Sequence, residues 1–137
     1  MATTIPLDLL YATSSDEFYP PTNALDPDET TFWTTTGLYP QELVVKFKNP
    51  AQIVRVTTIT GKVRSVTLFA ATDVECTQWV EIDSFNLPAQ PIKQQETHQL
   101  SLKNATYGVK LVINQGWGPF TALYLLKIEG VTVHENA

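Results

Sequence analysis

The sequence predicts an all-β fold: an antiparallel β-sandwich of jelly-roll type with about eight strands, in one domain over residues 1–137. Three observations predict it. Short runs alternate apolar with polar residues, the period-two mark of a half-buried strand. Pro, Gly and Asn punctuate those runs. No stretch carries the repeat of a long amphipathic helix. A chain of 137 residues can close a single core, and its 43% hydrophobic and 17% charged residues are ordinary for a globular domain.

Taken in order, an early strand covers Leu7 to Ala12. Leu43, Val45 and Phe47 alternate with Glu42, Lys46 and Lys48 in the next. After the turn signal Asn49-Pro50, Ile53 to Ile59 forms another. Val66–Ala70, Gln78–Ile82 and His98–Leu102 follow. In Tyr107–Ile113, Tyr107, Val109, Leu111 and Ile113 share one face. The last strand runs from about Leu123 to Val133, with a break expected at Gly130. Many short strands with such punctuation imply a sandwich or barrel.

Thr13 to Gln41 is the exception. It holds Pro20, Pro21, Pro27 and Pro40 and little strand pattern, with at most a helical turn around Pro21 to Leu25. A loop this long in a compact domain is usually functional or needs a fastener. Within it, Asn23, Asp26, Asp28 and Thr31 place four oxygen-bearing side chains in nine residues, just ahead of Phe32-Trp33. Two readings fit. Asp and Pro favour turns for backbone reasons, which makes a solvated turn. A hard cation such as calcium takes about 6–8 oxygens, which makes a clamp. Trp33, packed inward, would aim Thr31 at the acids, and Glu129 in the last strand could close the site from far along the chain.

The net charge of −5 and pI near 4.9 argue against nucleic acid and against an electrostatic hold on anionic membranes. No basic, apolar leader opens the chain, and no run reaches a membrane span, so a cytoplasmic protein is expected. One cysteine, Cys76, excludes an internal disulfide and a multi-thiolate metal site. His98 and His134 form no metal-spaced pair, no nucleophile elbow or phosphate loop appears, and an enzyme is not expected. Gln115-Gly116-Trp117-Gly118-Pro119-Phe120 places two aromatic residues in an inter-strand loop. Trp117 there folds over the core edge, anchors a partner protein or serves as a sugar platform.

The segment Asp26 to Trp33, with its Thr-x-Trp ending and Glu129, resembles the discoidin-like, or galactose-binding-like, β-sandwich superfamily. That resemblance implies one structural calcium ion, held by side-chain oxygens of Asp26, Thr31 and Glu129. It also implies backbone oxygens of Asn23, Asp28, Thr31 and Ile128. Further blocks narrow it: Ala12-Thr13-Ser14-Ser15-Asp16-Glu17, Pro20-Pro21-Thr22-Asn23, Thr31-Phe32-Trp33-Thr34-Thr35-Thr36-Gly37, Pro40-Gln41-Glu42, Gln78-Trp79, Ala105-Thr106-Tyr107 and Ile128-Glu129-Gly130. In this order they resemble the intraflagellar transport protein 25 family, also described as small-heat-shock-like. The family usually has Asp-Gly-Asn where this chain has Asp26-Pro27-Asp28. Proline fixes φ near about −65° and removes a donor, so the loop differs there, while Asp28 adds charge.

The resemblance implies a non-enzymatic subunit of the intraflagellar transport B complex, in cytoplasm and cilium or flagellum. It would pair as a heterodimer with a Rab-like small GTPase, intraflagellar transport protein 27. Strands apolar on both faces are the candidate partner surface, through Val44 and Leu125, with Trp117 and Phe120 beside them. The alternatives on the same fold are a calcium-stabilised carbohydrate-binding module and, from the second family name, a general chaperone.

Overall fold

The computed structural model describes residues 2–15, 17–26, 31–35, 38–90, 93–100 and 102–133. Among them are β1 (Thr3–Thr4), β2 (Leu7–Ala12), a 3-10 helix (Pro21–Leu25), β3 (Trp33–Thr34), β4 (Gln41–Gly61) and β5 (Val63–Ala71). Then come β6 (Trp79–Asn86), β7 (Gln94–Gln99), β8 (Thr106–Gly116) and β9 (Ala122–Thr132). All pairings are antiparallel. The expected antiparallel β-sandwich is present, with nine strands among the described residues where about eight were expected.

Strand β4 builds the sandwich. The sequence reads two strands divided at Asn49-Pro50, and the structure runs one 21-residue strand through them. The division is real in another sense, because the partners change there. Leu43–Lys46 lies between β2 and β8, whereas Arg55–Thr60 lies between β7 and β9. The register with β8 shifts between Lys46 and Ala51. A turn signal inside a strand thus marks the corner at which one sheet folds into two layers. One layer is β2-β4-β8-β5-β6; the other is β7-β4-β9, with β1 and β3 against the far side of β9.

The alternating apolar residues of both layers meet in one core. Leu43, Val45, Phe47, Leu68, Leu111 and Ile113 come from the first layer, and Ile53, Val56, Leu126 and Ile128 from the second. Trp33 is fully buried among them. Full burial of a side chain this large stabilises by about 1.5–3 kcal/mol or more.

Two expectations are corrected. The strand expected at His98–Leu102 is β7, Gln94–Gln99, a polar run pairing with Arg55–Thr60 of β4. An edge strand needs no strict apolar alternation, so its pattern is silent, while Leu100 and Leu102 pack on the core beyond its end. Nor does β9 break at Gly130. The strand continues to Thr132, and a Cβ at 130 would collide with the carbonyl oxygen of Gln52. Close approach of two backbones explains this glycine.

Candidate functional site

The long segment between β2 and β4 is tied down by its own polar side chains. Gln41 is buried, and its Oε1 accepts from the hydroxyls of Thr13 and Ser14, each at 2.7 Å. Its Nε2 donates to the carbonyl of Leu38. The Thr13 hydroxyl also accepts the Glu42 amide at 2.9 Å. Trp33 donates its indole N–H to the Ser14 carbonyl at 3.1 Å. Further on, the buried hydroxyls of Thr35 and Thr121 lie 2.9 Å apart, joining this segment to the start of β9. Buried polar groups need such partners, and here residues distant in sequence supply them to each other.

Inside this frame sits the oxygen-rich loop. Pro21 opens the 3-10 helix, where its missing donor costs nothing. Ala24 is fully buried and anchors the turn. The Asn23 side chain donates to the Phe32 carbonyl at 3.1 Å, so the Asn23 backbone oxygen becomes the focus of the loop. That oxygen lies 3.3 Å from the Asp26 amide and 3.4 Å from the Thr31 hydroxyl. The Asn23 carbonyl thus accepts from the Asp26 amide and the Thr31 hydroxyl, which closes the loop by hydrogen bonds. The Asn23 carbonyl, the Asp26 backbone amide and the Thr31 hydroxyl are neighbours. Asp28 lies outside the described residues, as do Pro27, the motif residues Asp16, Thr36 and Gly37, and His134. Glu129 has other company: its carboxylate pairs with Arg55 at 3.2 Å and Lys127 at 3.9 Å. Among the described residues, no three His, Cys, Asp or Glu side chains cluster.

The loop reaches the rest of the surface through Phe32. Its ring stacks on Tyr19, with centroids 4.6 Å apart, and meets Tyr124 of β9 at 4.9 Å.

The four candidate partner residues separate. Val44 is 0% exposed, so a partner on its face would meet its cross-strand neighbours Tyr11 and Lys110 instead. That outer face of the first layer also carries Phe69 and Trp79. The Lys110 ammonium lies 4.8 Å from the Trp79 ring centre and 5.5 Å from that of Phe69. Leu125 is half-buried on β9 and lines a hollow with Leu7, Leu25 and Pro6. Trp117 and Phe120 are 45% and 57% exposed in the loop between β8 and β9. Trp117 does fold back: its amide donates to Lys62 at 2.8 Å and its indole to Leu87 at 3.0 Å.

Two features were not foreseen. His98 Nδ1 lies 2.8 Å from Asp83 Oδ2, and the His98 ring stacks on Phe85 at 4.2 Å. This contact joins edge strand β7 of one layer to edge strand β6 of the other. Only the sheet topology brings them together, so no local signal marks it. Cys76 stands at φ 58° in the turn after β5, with its thiol pKa raised by burial. That environment makes a packing residue, not a reactive one.

The fold defines the class. A carbohydrate-binding module of Clostridium perfringens, CpGH89CBM32-5, solved with GalNAc-β-1,3-galactose, superposes with a TM-score of 0.80 at 20% identity. It covers 92% of this chain and 99% of that one. The family 32 module of Clostridium perfringens NanJ, in complex with galactose, gives 0.78 at 18% identity, over 94% and 99%. At such identities the likeness shows architecture alone: the discoidin-like β-sandwich. No family model matches the sequence.

Curated relatives supply the rest. The human intraflagellar transport protein 25 homologue is 32% identical over 129 residues, 92% of this chain and 88% of that protein. The mouse homologue is 33% identical over the same shares. Intraflagellar transport protein 25 of Chlamydomonas reinhardtii is 30% identical over 123 residues, 89% of this chain and 64% of that protein. The chain belongs to the intraflagellar transport protein 25 family.

Proposed function

We propose that this chain is a non-enzymatic subunit of an intraflagellar transport B complex, and that it holds a Rab-like small GTPase, intraflagellar transport protein 27, as a heterodimeric partner in cytoplasm and cilium. The observation that carries the reading is family membership across 92% of the chain. The hydrogen-bonded hub at Gln41 is consistent with it, because Thr13, Ser14, Trp33 and Gln41 lie in blocks of the sequence that resemble the family. The mechanism is scaffolding. A stable interface buries about 1,200–2,000 Å² in total. The outer face of the first layer, with Tyr11, Phe69, Lys110 and Trp79 around buried Val44, is the surface we assign to the GTPase.

We further propose a structural calcium ion in the 23–31 loop. The Asn23 carbonyl, Asp26 carboxylate and Thr31 oxygens would hold it. Bound, the ion supplies cross-linking charge that keeps this loop closed on the sandwich. For Glu129 to join them, its carboxylate would have to leave Arg55.

Affinity capture of the tagged chain from ciliated cells, read by mass spectrometry, tests the reading. Recovery of a Rab-like GTPase with other transport subunits is expected, and Trp79→Glu should lose the GTPase. Recovery without any small GTPase, together with specific retention on a galactose matrix, would favour the carbohydrate-binding alternative.

A further inference from the structure

A groove at one end of the sandwich lies between the β4–β5 turn, the β6–β7 loop and the β8–β9 loop. Two hollows of about 330 and 340 Å³ share Lys62, Gln90 and Gly118 and make it continuous. Its apolar walls are Phe120 and Tyr124 in one hollow and Trp117 in the other. Among the described residues, the charged ones lining these two hollows are Lys62 and Lys93, with Glu96 in the adjoining hollow beyond Lys93. The Lys93 ammonium stands 4.7 Å from the Tyr124 ring centre, and the Arg64 guanidinium 4.8 Å from that of Trp117. No Asp or Glu lines either hollow among the described residues.

The sequence around it repeats the bias. Segments 59–72, 84–95 and 113–126 carry Lys62, Arg64 and Lys93, three of the nine bases, and none of the fourteen acids. In a chain of net charge −5 this is a local reversal of sign, and such a patch steers anionic partners. The turn is also held in an unusual shape. Lys62 alone joins β4 to β5 at φ 60°, a region a lysine rarely occupies, and its carbonyl accepts the Trp117 amide. Its backbone is thereby fixed, and its exposed side chain lines both hollows.

We propose that this groove docks an acidic linear peptide segment of a partner protein, with an aromatic or aliphatic side chain set against Phe120 and Tyr124. Charge complementarity selects the acid, and the aromatic walls require an apolar residue beside it. Lys62 and Lys93 sit on separate loops, with Arg64 at the start of β5 beside Trp117, a spread that suits an extended chain better than one compact anion. The site lies away from the sheet face assigned to the GTPase and goes beyond that reading.

Fluorescence anisotropy on the intact chain tests it. The probe is a fluorescein-labelled peptide of Asp and Glu residues around a single Phe, beside the same peptide with Lys at every acid. The acidic peptide should bind, and added salt should weaken it as screening shortens to about 8 Å. Lys62→Glu with Lys93→Glu should weaken it about tenfold or more, and Phe120→Ala should weaken it without changing the salt dependence. Lys62→Gln with Lys93→Gln serves if charge reversal disturbs the melt, and should lower affinity in the same direction. Equal binding of the basic peptide, no effect of the lysine changes, or no binding of the acidic peptide overturns the proposal. So does binding of a glucuronate disaccharide in its place.

Discussion

The indole N–H of Trp33 donates to the backbone carbonyl of Ser14 at 3.1 Å, across the mouth of the segment that carries the 23–31 loop. The Ser14 hydroxyl in turn donates to Gln41, so one buried amide gathers the start, middle and end of a segment with little regular structure. This arrangement gives the segment its shape before any ion is considered.

Gln41→Ala tests the hub. It removes the Gln41 bonds to the Thr13 and Ser14 hydroxyls and to the Leu38 carbonyl, while Thr13 keeps the Glu42 amide. A net intramolecular hydrogen bond contributes about 0.5–1.5 kcal/mol, and the exposed partners regain water, so a loss of about 1–2 kcal/mol in urea denaturation is expected. A change below about 0.5 kcal/mol would show that the hub contributes little.

Calcium is tested by melting the protein with and without chelator. An ion binding only the native state at 100 times its dissociation constant adds about 2.7 kcal/mol. Chelation should lower the melting temperature, and Asp26→Asn should remove the difference. Glu129→Gln asks a separate question. If the Arg55 pair persists, the chelator effect survives the change; if Glu129 moves to the ion, it shrinks. Superimposable melts of the unaltered chain in calcium and in chelator would end the calcium proposal.

Acid acts on the turn between β5 and β6. Asp73 accepts from the Thr77 hydroxyl and from the amides of Gln78 and Thr77, which holds its carboxyl below the usual carboxylate range. The folded-state pKa is lowered, so the turn's contribution is complete above the unfolded value of about 3.9 and is lost as pH falls through the folded one. In an NMR titration the Thr77 and Gln78 amides should shift with a midpoint below that value. Asp73→Asn should abolish the shift, and a midpoint at or above the ordinary value would contradict the assignment.

Much of the sandwich is readable along the chain, because Leu43, Val45 and Phe47 must alternate wherever one face is buried. The 3-10 helix was readable from Pro21 and the loop chemistry around it. What escaped is set by topology. β7 is polar because it is an edge, and the Asp83–His98 contact exists only once two layers face each other. Asn49-Pro50 looked like a loop between strands because a corner and a loop use the same residues. Val44 looked available to a partner because alternation cannot say what covers the second face. In the 23–31 loop, the Asn23 carbonyl accepts from the Asp26 amide and the Thr31 hydroxyl, whereas Glu129, read from its place near the chain end, faces Arg55 across the β4–β9 ladder.

The central claim is the heterodimer. Co-expression of the chain with intraflagellar transport protein 27 from the same organism, followed by size-exclusion chromatography with light scattering, tests it most directly. The account predicts a single peak at the mass of a one-to-one complex, lost with Trp79→Glu while that variant still melts cooperatively. Separate elution of the two unaltered proteins would contradict it.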